Sequence, residues 1–289
     1  MKPADFEYLR PATVDEAVAA LAASGGEGKL LAGGQSLVPL MNFRLASPAL
    51  LVDLNGVAEL AHVEQEDGVL RVGSMTRMRV LETDPQVRRA VPLLAAASAW
   101  VGHVQIRNRG TVGGSIAHAD PAAEVPAVCL LADAELVVVG PSGTRTISCA
   151  DFFLGFLTTA LGENDVLTEI RVPVAPAGER WGFREFAHRR GDFALAGAAV
   201  TLGLDGGDGV ETARIVVFGT SDRPVRSADA EASLVGGPAT PERLADTARI
   251  AADEAAQDDP RPDAAYRRTV TETMVRRALD DAAAREVHA

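Results

Sequence analysis

The chain has 289 residues, 47% of them apolar and 24% charged, the balance of a soluble globular protein with room for two domains of ordinary size. A formal charge of −12 with no segregated basic patch excludes a nucleic-acid binder, because the phosphate backbone would be repelled. Cys129 and Cys149, the only two cysteines, are too few and too isolated for a disulfide framework or an iron–sulfur cluster, and the lack of any long apolar span or apolar leader points to a cytoplasmic protein with no membrane span.

Phe6–Leu9 reads as a first strand, and Thr13 as the N-cap of a helix that buries Val14, Ala17, Val18 and Leu21 and ends at Gly25-Gly26. Leu30-Leu31 ends a second strand and delivers the turn Ala32-Gly33-Gly34-Gln35-Ser36, after which Leu37–Met41 predicts a short helix. Glycines there allow positive φ and close backbone approach, so that successive N–H groups can converge on an anion; a tight turn that needs glycine for geometry alone is the competing reading. Leu50–Leu54 resumes as a buried strand and completes a small α/β unit.

Further on, Asp67-Gly68 predicts a hairpin, Thr76–Thr83 and Val87–Trp100 predict helices, and a second paired glycine follows in Thr111-Val112-Gly113-Gly114-Ser115. Two such turns suggest a ligand with two phosphates. Asp120-Pro121 predicts a helix start, Asp as N-cap and Pro at N1, with Glu124 in the first turn and Val125–Leu131 packed beneath the glycines. Glu124 either complements that helix dipole or offers a carboxylate to sugar hydroxyls, and Arg107 and Arg109 are candidates for phosphate contacts or for solvated loop charges. Glu135–Val139 and Thr144–Ile147 form a second predicted hairpin, Val166–Val174 another strand, and Pro173–Gly178 the best linker. Three strands, Trp181–Arg189, Ala198–Leu204 and Val210–Gly219, precede three helices, Ala228–Val235, Pro241–Ala256 and Ala264–Glu286, with an acidic, Pro-broken tract at Asp253–Asp263.

The five histidines, His62, His103, His118, His188 and His288, have no metal-ligand spacing, although His103 and His118 flank the second glycine pair and are candidates to hydrogen-bond a cofactor. There is no Gly-x-Ser-x-Gly elbow for hydrolysis, and neither turn has the Gly-Lys-Ser/Thr end of a Walker loop or the Gly-x-Gly-x-x-Gly of a Rossmann turn.

Taken in order and spacing, AGGQSLVPLMNFRLASP (Ala32–Pro48) and IRNRGTVGGSIAHADPAAEVPAV (Ile106–Val128) resemble the FAD-binding medium subunit of the molybdenum hydroxylases, the carbon monoxide dehydrogenase and xanthine dehydrogenase family. The resemblance runs over nearly the whole chain and includes Phe186–Leu195, although that family usually has Tyr where Phe193 stands and often Lys near Glu185. It implies an α+β fold: a two-subdomain FAD-binding domain of the vanillyl-alcohol-oxidase type over residues 1–175 (subdomains about 1–56 and 57–175), then a smaller α+β domain over 176–289 built on a three-stranded antiparallel sheet with helices.

The resemblance also implies FAD between the two domains, its pyrophosphate against Ala32, Gly33, Gly34, Gln35 and Ser36, flanked by Leu31 and Leu37, and against Thr111, Gly113, Gly114 and Ser115. Asp120 is a further implied cofactor contact, Glu124 lies near the ribityl or sugar portion, and Val101, Leu161, Asp192 and Phe193 fall beside the flavin ring, where Phe193 is either an apolar wall or plain core. A molybdenum-cofactor large subunit and an iron–sulfur small subunit are the implied partners, with electrons leaving to NAD, a quinone or oxygen. No acid or base for the hydroxylation is expected on this chain. A self-contained flavin oxidoreductase acting directly on a small molecule is the alternative that the same fold allows.

Overall fold

The computed structural model describes residues 2–206, 209–256 and 264–285. The predicted α/β opening is present: β1 (Glu7–Leu9), α1 (Val14–Ala23), β2 (Gly28–Leu31), α2 (Leu37–Asn42) and β3 (Leu50–Asp53), with a parallel sheet of order β1-β3-β2. Thr13 Oγ1 accepts from the Glu16 N–H at 3.2 Å while the Glu16 carboxylate accepts from the Ala12 N–H at 2.7 Å, a reciprocal cap that starts α1. Ala17, Val18 and Leu21 face the core, and Gly25 and Gly26, at φ +61° and +89°, end the helix.

β4 (Val63–Glu66) and β5 (Val69–Gly73) form the predicted hairpin, with Asp67 and Gly68 both at positive φ. The next elements are helical: α3 (Met78–Thr83), α4 (Pro85–Ala90), α5 (Pro92–Ser98), α6 (Val104–Arg109), α7 (Val112–His118) and α8 (Glu124–Leu131). The single helix expected over Val87–Trp100 is two, because Pro92 donates no backbone hydrogen bond and serves instead as the first residue of α5. β6 (Glu135–Gly140) and β7 (Gly143–Ser148) are the second predicted hairpin; α9 (Cys149–Phe152) and a small hairpin, β8 (Phe153–Gly155) with β9 (Thr158–Thr159), were not foreseen. β10 (Val166–Pro173) sits at the centre of an antiparallel sheet of order β4-β5-β10-β6-β7.

The C-terminal sheet, β11 (Arg180–Phe186), β12 (Ala196–Leu204), β13 (Val210–Phe218) and β14 (Val225–Arg226), has four strands where three were expected, β14 being a two-residue addition on β13. α10 (Ala228–Leu234), α11 (Pro241–Ala256) and α12 (Ala264–Ala284) follow; most of the acidic tract, residues 257–263, and His288 lie outside the described residues. β12 is buried on both faces. Ala198, Val200 and Leu202 point at Met274, Val275, Ala278 and Leu279 of α12, whereas Ala199 joins a core with Leu94, Leu131, Phe183 and Phe218. That second core runs without a break into the helices around the five-stranded sheet, so the C-terminal sheet supports the segment that carries the second glycine pair. Both cysteines are buried thiols, as expected; burial pushes Cys129 up to about 12 and Cys149 well above its ordinary value. Among the described residues no helix is long and apolar enough to cross a membrane.

Candidate functional site

The pairing of β2 with β3 stops at Leu31, and the chain turns away through Ala32 to Ser36 before α2 begins. The two glycines in this turn serve different needs. Gly34 has φ +72°, a conformation in which a side chain is strained. Gly33 is needed for space: a Cβ there would lie 2.7 Å from Gly110 Cα and would overlap the Arg109 carbonyl oxygen. The first turn therefore packs backbone against backbone on the residues that lead into the second. Among the described residues, the N–H groups of Gly33, Gly34, Gln35 and Ser36 donate to no protein acceptor, and Ser36 makes no side-chain cap to α2. Gln35 folds its amide back on the Gly33 carbonyl at 3.1 Å, which stiffens the turn. Four adjacent free donors, on a turn seated closely against the Arg109-Gly110 backbone, fit an oxyanion such as a cofactor diphosphate.

The second glycine pair is not an open turn of the same kind. Thr111 is the N-cap of α7, its Oγ1 accepting from the Gly114 N–H at 3.1 Å, so Gly113 and Gly114 stand in the first turn of a helix. The Gly113 N–H donates to the Ser74 carbonyl at 2.8 Å and the Ser115 N–H to the Thr111 carbonyl at 3.1 Å. These donors are spent on the protein, and Gly113 is glycine because a Cβ would lie 2.8 Å from the Ser74 carbonyl oxygen. What remains for a ligand is the Thr111 N–H and the Ser115 hydroxyl, neither of which has a partner among the described residues. The two motifs do meet: a Cβ on Gly114 would stand 3.6 Å from Ala32 Cβ. Replacing Thr111 by Ala removes the cap and is expected to lower the unfolding free energy by about 1 kcal/mol, measured by urea titration; an unchanged midpoint would show the cap to be idle.

Arg107 is neither a phosphate ligand nor a solvated charge. It pairs with Glu82 at 2.8 Å and donates to the carbonyls of Val101 and Gly102, each at 3.1 Å, so it closes the end of the α5–α6 connection. Arg109 is exposed and has no ion pair among the described residues, which leaves it available to an anion beside the first turn.

On the other side of α7 the chain differs from expectation at Asp120. Its carboxylate accepts from the Ala122 N–H at 2.8 Å and its carbonyl from Ala123 at 3.0 Å, so Asp120–Ala123 is a turn of its own and α8 begins at Glu124 with Ala123 as N-cap. Pro121 consequently stands in the turn, and its carbonyl accepts from the Gly219 N–H at 2.7 Å. Glu124 remains in the first helical turn, its carboxyl pushed up to about 7 by burial and then by the charge of Asp120. Glu185, on β11, is pushed up to about 8, first by burial and then by Glu124, and its buried Oε2 has no hydrogen-bond partner among the described residues.

Val101 and Leu161 are half-buried against the same core cluster as Trp100. The loop holding Asp192 reaches that neighbourhood: a Cβ on Gly191 would lie 2.7 Å from the His103 ring, and Arg190 stands 5.5 Å above the Trp100 ring. Phe193, at 74% exposed, is not core; its ring stands out at the end of this loop. His103 is the N-cap of α6 and His118 lies in the last turn of α7; no cluster of metal ligands occurs among the described residues.

Two residues that tie the glycine motifs together were not singled out in the sequence. Asn55 Nδ2 donates to the Ala32 carbonyl at 2.9 Å, and Arg77 donates to Asn55 Oδ1 at 2.6 Å and to the Arg109 carbonyl at 2.5 Å. Their partners are 22 or more residues away along the chain, and such contacts leave no local pattern to find.

Residues 4–175 match the family model of the FAD binding domain in molybdopterin dehydrogenase, and residues 181–282 that of the CO dehydrogenase flavoprotein C-terminal domain. The chain is similar to the carbon monoxide dehydrogenase medium chain of Hydrogenophaga pseudoflava, 40% identical with 99% of each chain covered. It is also similar to the 6-hydroxypseudooxynicotine dehydrogenase complex subunit alpha of Paenarthrobacter nicotinovorans, 39% identical over 96% of this chain and 95% of that one. Among solved structures, carbon monoxide dehydrogenase from H. pseudoflava superposes with a TM-score of 0.94 at 40% identity, and quinoline 2-oxidoreductase from Pseudomonas putida 86 with 0.93 at 36%, each covering 98% of both chains. Full-length similarity of this degree, on a fold in which the two glycine motifs close on one another, places the chain in the family of FAD-binding medium subunits of the molybdenum hydroxylases.

Proposed function

We propose that this FAD-binding oxidoreductase subunit takes electrons from iron–sulfur clusters on a partner small subunit, which a molybdenum-cofactor large subunit supplies, and passes them to an external acceptor such as NAD, a quinone or oxygen. The observation that carries the proposal is the row of free N–H groups at Gly33–Ser36, seated against Arg109-Gly110. FAD, when bound, supplies the redox chemistry. The residues of this chain hold and orient it.

In this proposal the N–H groups of Gly33, Gly34, Gln35 and Ser36 hold the diphosphate, with Leu31, Ala32 and Leu37 shaping the turn around it. The Thr111 N–H and the Ser115 hydroxyl hold it from α7, and Gly113 and Gly114 allow α7 to approach. Arg109 offsets its charge. Asp120 is a further cofactor contact, Glu124 lies near the ribityl or sugar portion, and Val101, Leu161, Asp192 and Phe193 fall beside the flavin ring. The exposed ring of Phe193 has apolar surface to lay against an isoalloxazine and so exclude water from it. The cofactor-binding part is residues 1–175, divided near 56, and residues 176–289 form the smaller domain.

Copurification with partner subunits followed by anaerobic addition of the complex's substrate tests this. The flavin absorbance is expected to bleach only in the assembled complex. Bleaching of the isolated chain by substrate would overturn the proposal in favour of a self-contained oxidoreductase.

A further inference from the structure

A chain of side-chain hydrogen bonds runs behind the glycine seam. Tyr8 donates to Asp53 at 2.5 Å, Asp53 accepts from the Asn55 N–H at 3.0 Å and from Asn55 Nδ2, and that amide also donates to the Ala32 carbonyl. Asn55 Oδ1 then accepts from Arg77, whose other terminal nitrogen donates to the Arg109 carbonyl. Ala32 opens the first glycine turn, and Arg109-Gly110 is the backbone on which Gly33 is seated. The fork of one guanidinium therefore spans the joint between the two motifs, reaching one directly and the other through an amide. The backbone reinforces it: the Met78 N–H donates to the Gly110 carbonyl at 2.9 Å and the Val112 N–H to the Thr76 carbonyl at 3.0 Å, on either side of Arg77 and Thr111. Burial and the nearby charge of Arg109 both weigh against a cation at Arg77, so the arginine is held there against a cost that a neutral residue would avoid.

We propose that Arg77 is a positioning residue for FAD: through Asn55 it fixes the spacing between the Ala32 and Arg109 carbonyls, and so the convergence of the Gly33–Ser36 donors, without touching the cofactor. This rests on the diphosphate site proposed above. The bidentate fork is essential to it, because a lysine supplies the charge but cannot reach both acceptors along fixed directions.

A groove of about 370 Å³ borders the outer side of the relay, with Leu54, Val57, Met75 and Val80 beside Asn55 and Arg77. It gives a small cation access to the place the guanidinium occupies, and that makes the proposal testable by rescue. FAD is removed from the full-length chain and its affinity remeasured by flavin fluorescence, alongside the thermal midpoint of the apo-protein. Arg77→Ala is expected to weaken FAD binding about 30-fold, the loss of charge-assisted hydrogen bonds, and added guanidinium ion at low millimolar concentration to recover most of that loss. Arg77→Lys is expected to stay weak, to within about threefold of Arg77→Ala. Because Asn55 and Arg77 act as one relay, Arg77→Ala with Asn55→Ala is expected to lose no more than the worse single variant. Unchanged FAD affinity in Arg77→Ala, full affinity in Arg77→Lys, absence of guanidinium rescue, or additive losses in the double variant would each overturn the proposal. Should Arg77→Ala not fold, Arg77→Lys and Asn55→Ala carry the same test, and additive losses in their combination overturn it. A Gly33→Ala variant separates the two ideas: if it too leaves FAD affinity intact, the diphosphate site is wrong, whereas weak binding in Gly33→Ala with normal binding in Arg77→Ala sinks the relay alone.

Discussion

Gly33→Ala is expected to abolish retention of FAD through purification and to weaken its binding by at least about 100-fold, the equivalent of losing more than one hydrogen bond to a charged group. The new methyl carbon would stand 2.7 Å from Gly110 Cα and on top of the Arg109 carbonyl oxygen. Both obstacles are backbone, so no rotamer change relieves the overlap. The seam has to open instead, and the Asn55–Arg77 relay with it. The free donors at Gly33–Ser36 lose their convergence even though each N–H is still present. Gly114→Ala is the internal control, because its added carbon meets only the Thr111 hydroxyl at 2.7 Å and Ala32 Cβ at 3.6 Å; the cost there is mainly a disturbed cap, with FAD weakened about tenfold at most. Flavin-to-protein ratio and fluorescence titration read both variants. A Gly33→Ala protein that holds a full complement of FAD with unaltered affinity would end the assignment of the diphosphate to this turn.

The two glycine pairs show what can and cannot be read from such a sequence. Gly33-Gly34 and Gly113-Gly114 look alike as letters, yet one makes an open turn and the other begins a helix. The difference is Thr111, a hydroxyl placed to cap α7, a role that the emphasis on a glycine turn obscured. Local signals with a single physical cause were legible: the Thr13 cap, the buried face of α1 at Ala17, Val18 and Leu21, and the Asp67-Gly68 hairpin. Signals with two competing causes were not. Pro121 follows a good N-cap residue, but Asp120 closed its own turn first, and Pro92 split what apolar periodicity joined. Contacts that depend on tertiary approach, such as Arg77 with Arg109, or Glu185 with Glu124, were invisible because one member of each, Arg77 or Glu185, lies outside both glycine motifs and far along the chain from its partner.

The Glu124–Glu185 pair leads to the second large effect, on the dependence of stability on pH. Both carboxyls bind their protons more tightly in the folded chain than when exposed, at about 7 and about 8 against 4.5, because burial disfavours the charged form of each, with the charge of Asp120 adding to this at Glu124 and that of Glu124 adding to it at Glu185. The folded state therefore carries more protons than the unfolded chain over this window. Stability from the pair is fully present below pH 4.5 and is lost as pH rises through about 7 to 8. The carboxylates held low behave oppositely: Asp165, paired to Arg145, and Glu169, held by Arg71, Arg171 and His62 against the cost of burial, lose their contribution as the pH falls below the ordinary carboxylate range. Those two windows do not overlap, but Glu179, also pushed up by burial, titrates on the same side as the pair, so the pair's share is read in urea titrations between pH 5.5 and 8.5 as the difference between the full-length parent and its Glu185 variants.

The expected loss across that range is about 2 kcal/mol, below what the full shifts would give because the pair is partly open to solvent. Glu185→Gln keeps the shape of the side chain but removes the second charge; its stability is expected to fall less steeply with pH than that of the parent, keeping only the part due to Glu124, which burial and Asp120 still push up, and to exceed that of the parent at pH 8.5. Glu185→Lys, the residue type often found near this position in the family the sequence resembles, is expected to go further: an ammonium facing Glu124 favours the carboxylate, so the Glu124 proton is lost at lower pH and the pair's share of the slope above pH 5.5 disappears. A parent chain whose unfolding free energy does not fall between pH 5.5 and 8.5, or a Glu185→Gln chain with the same slope, would show that these two carboxyls do not share the buried site in solution.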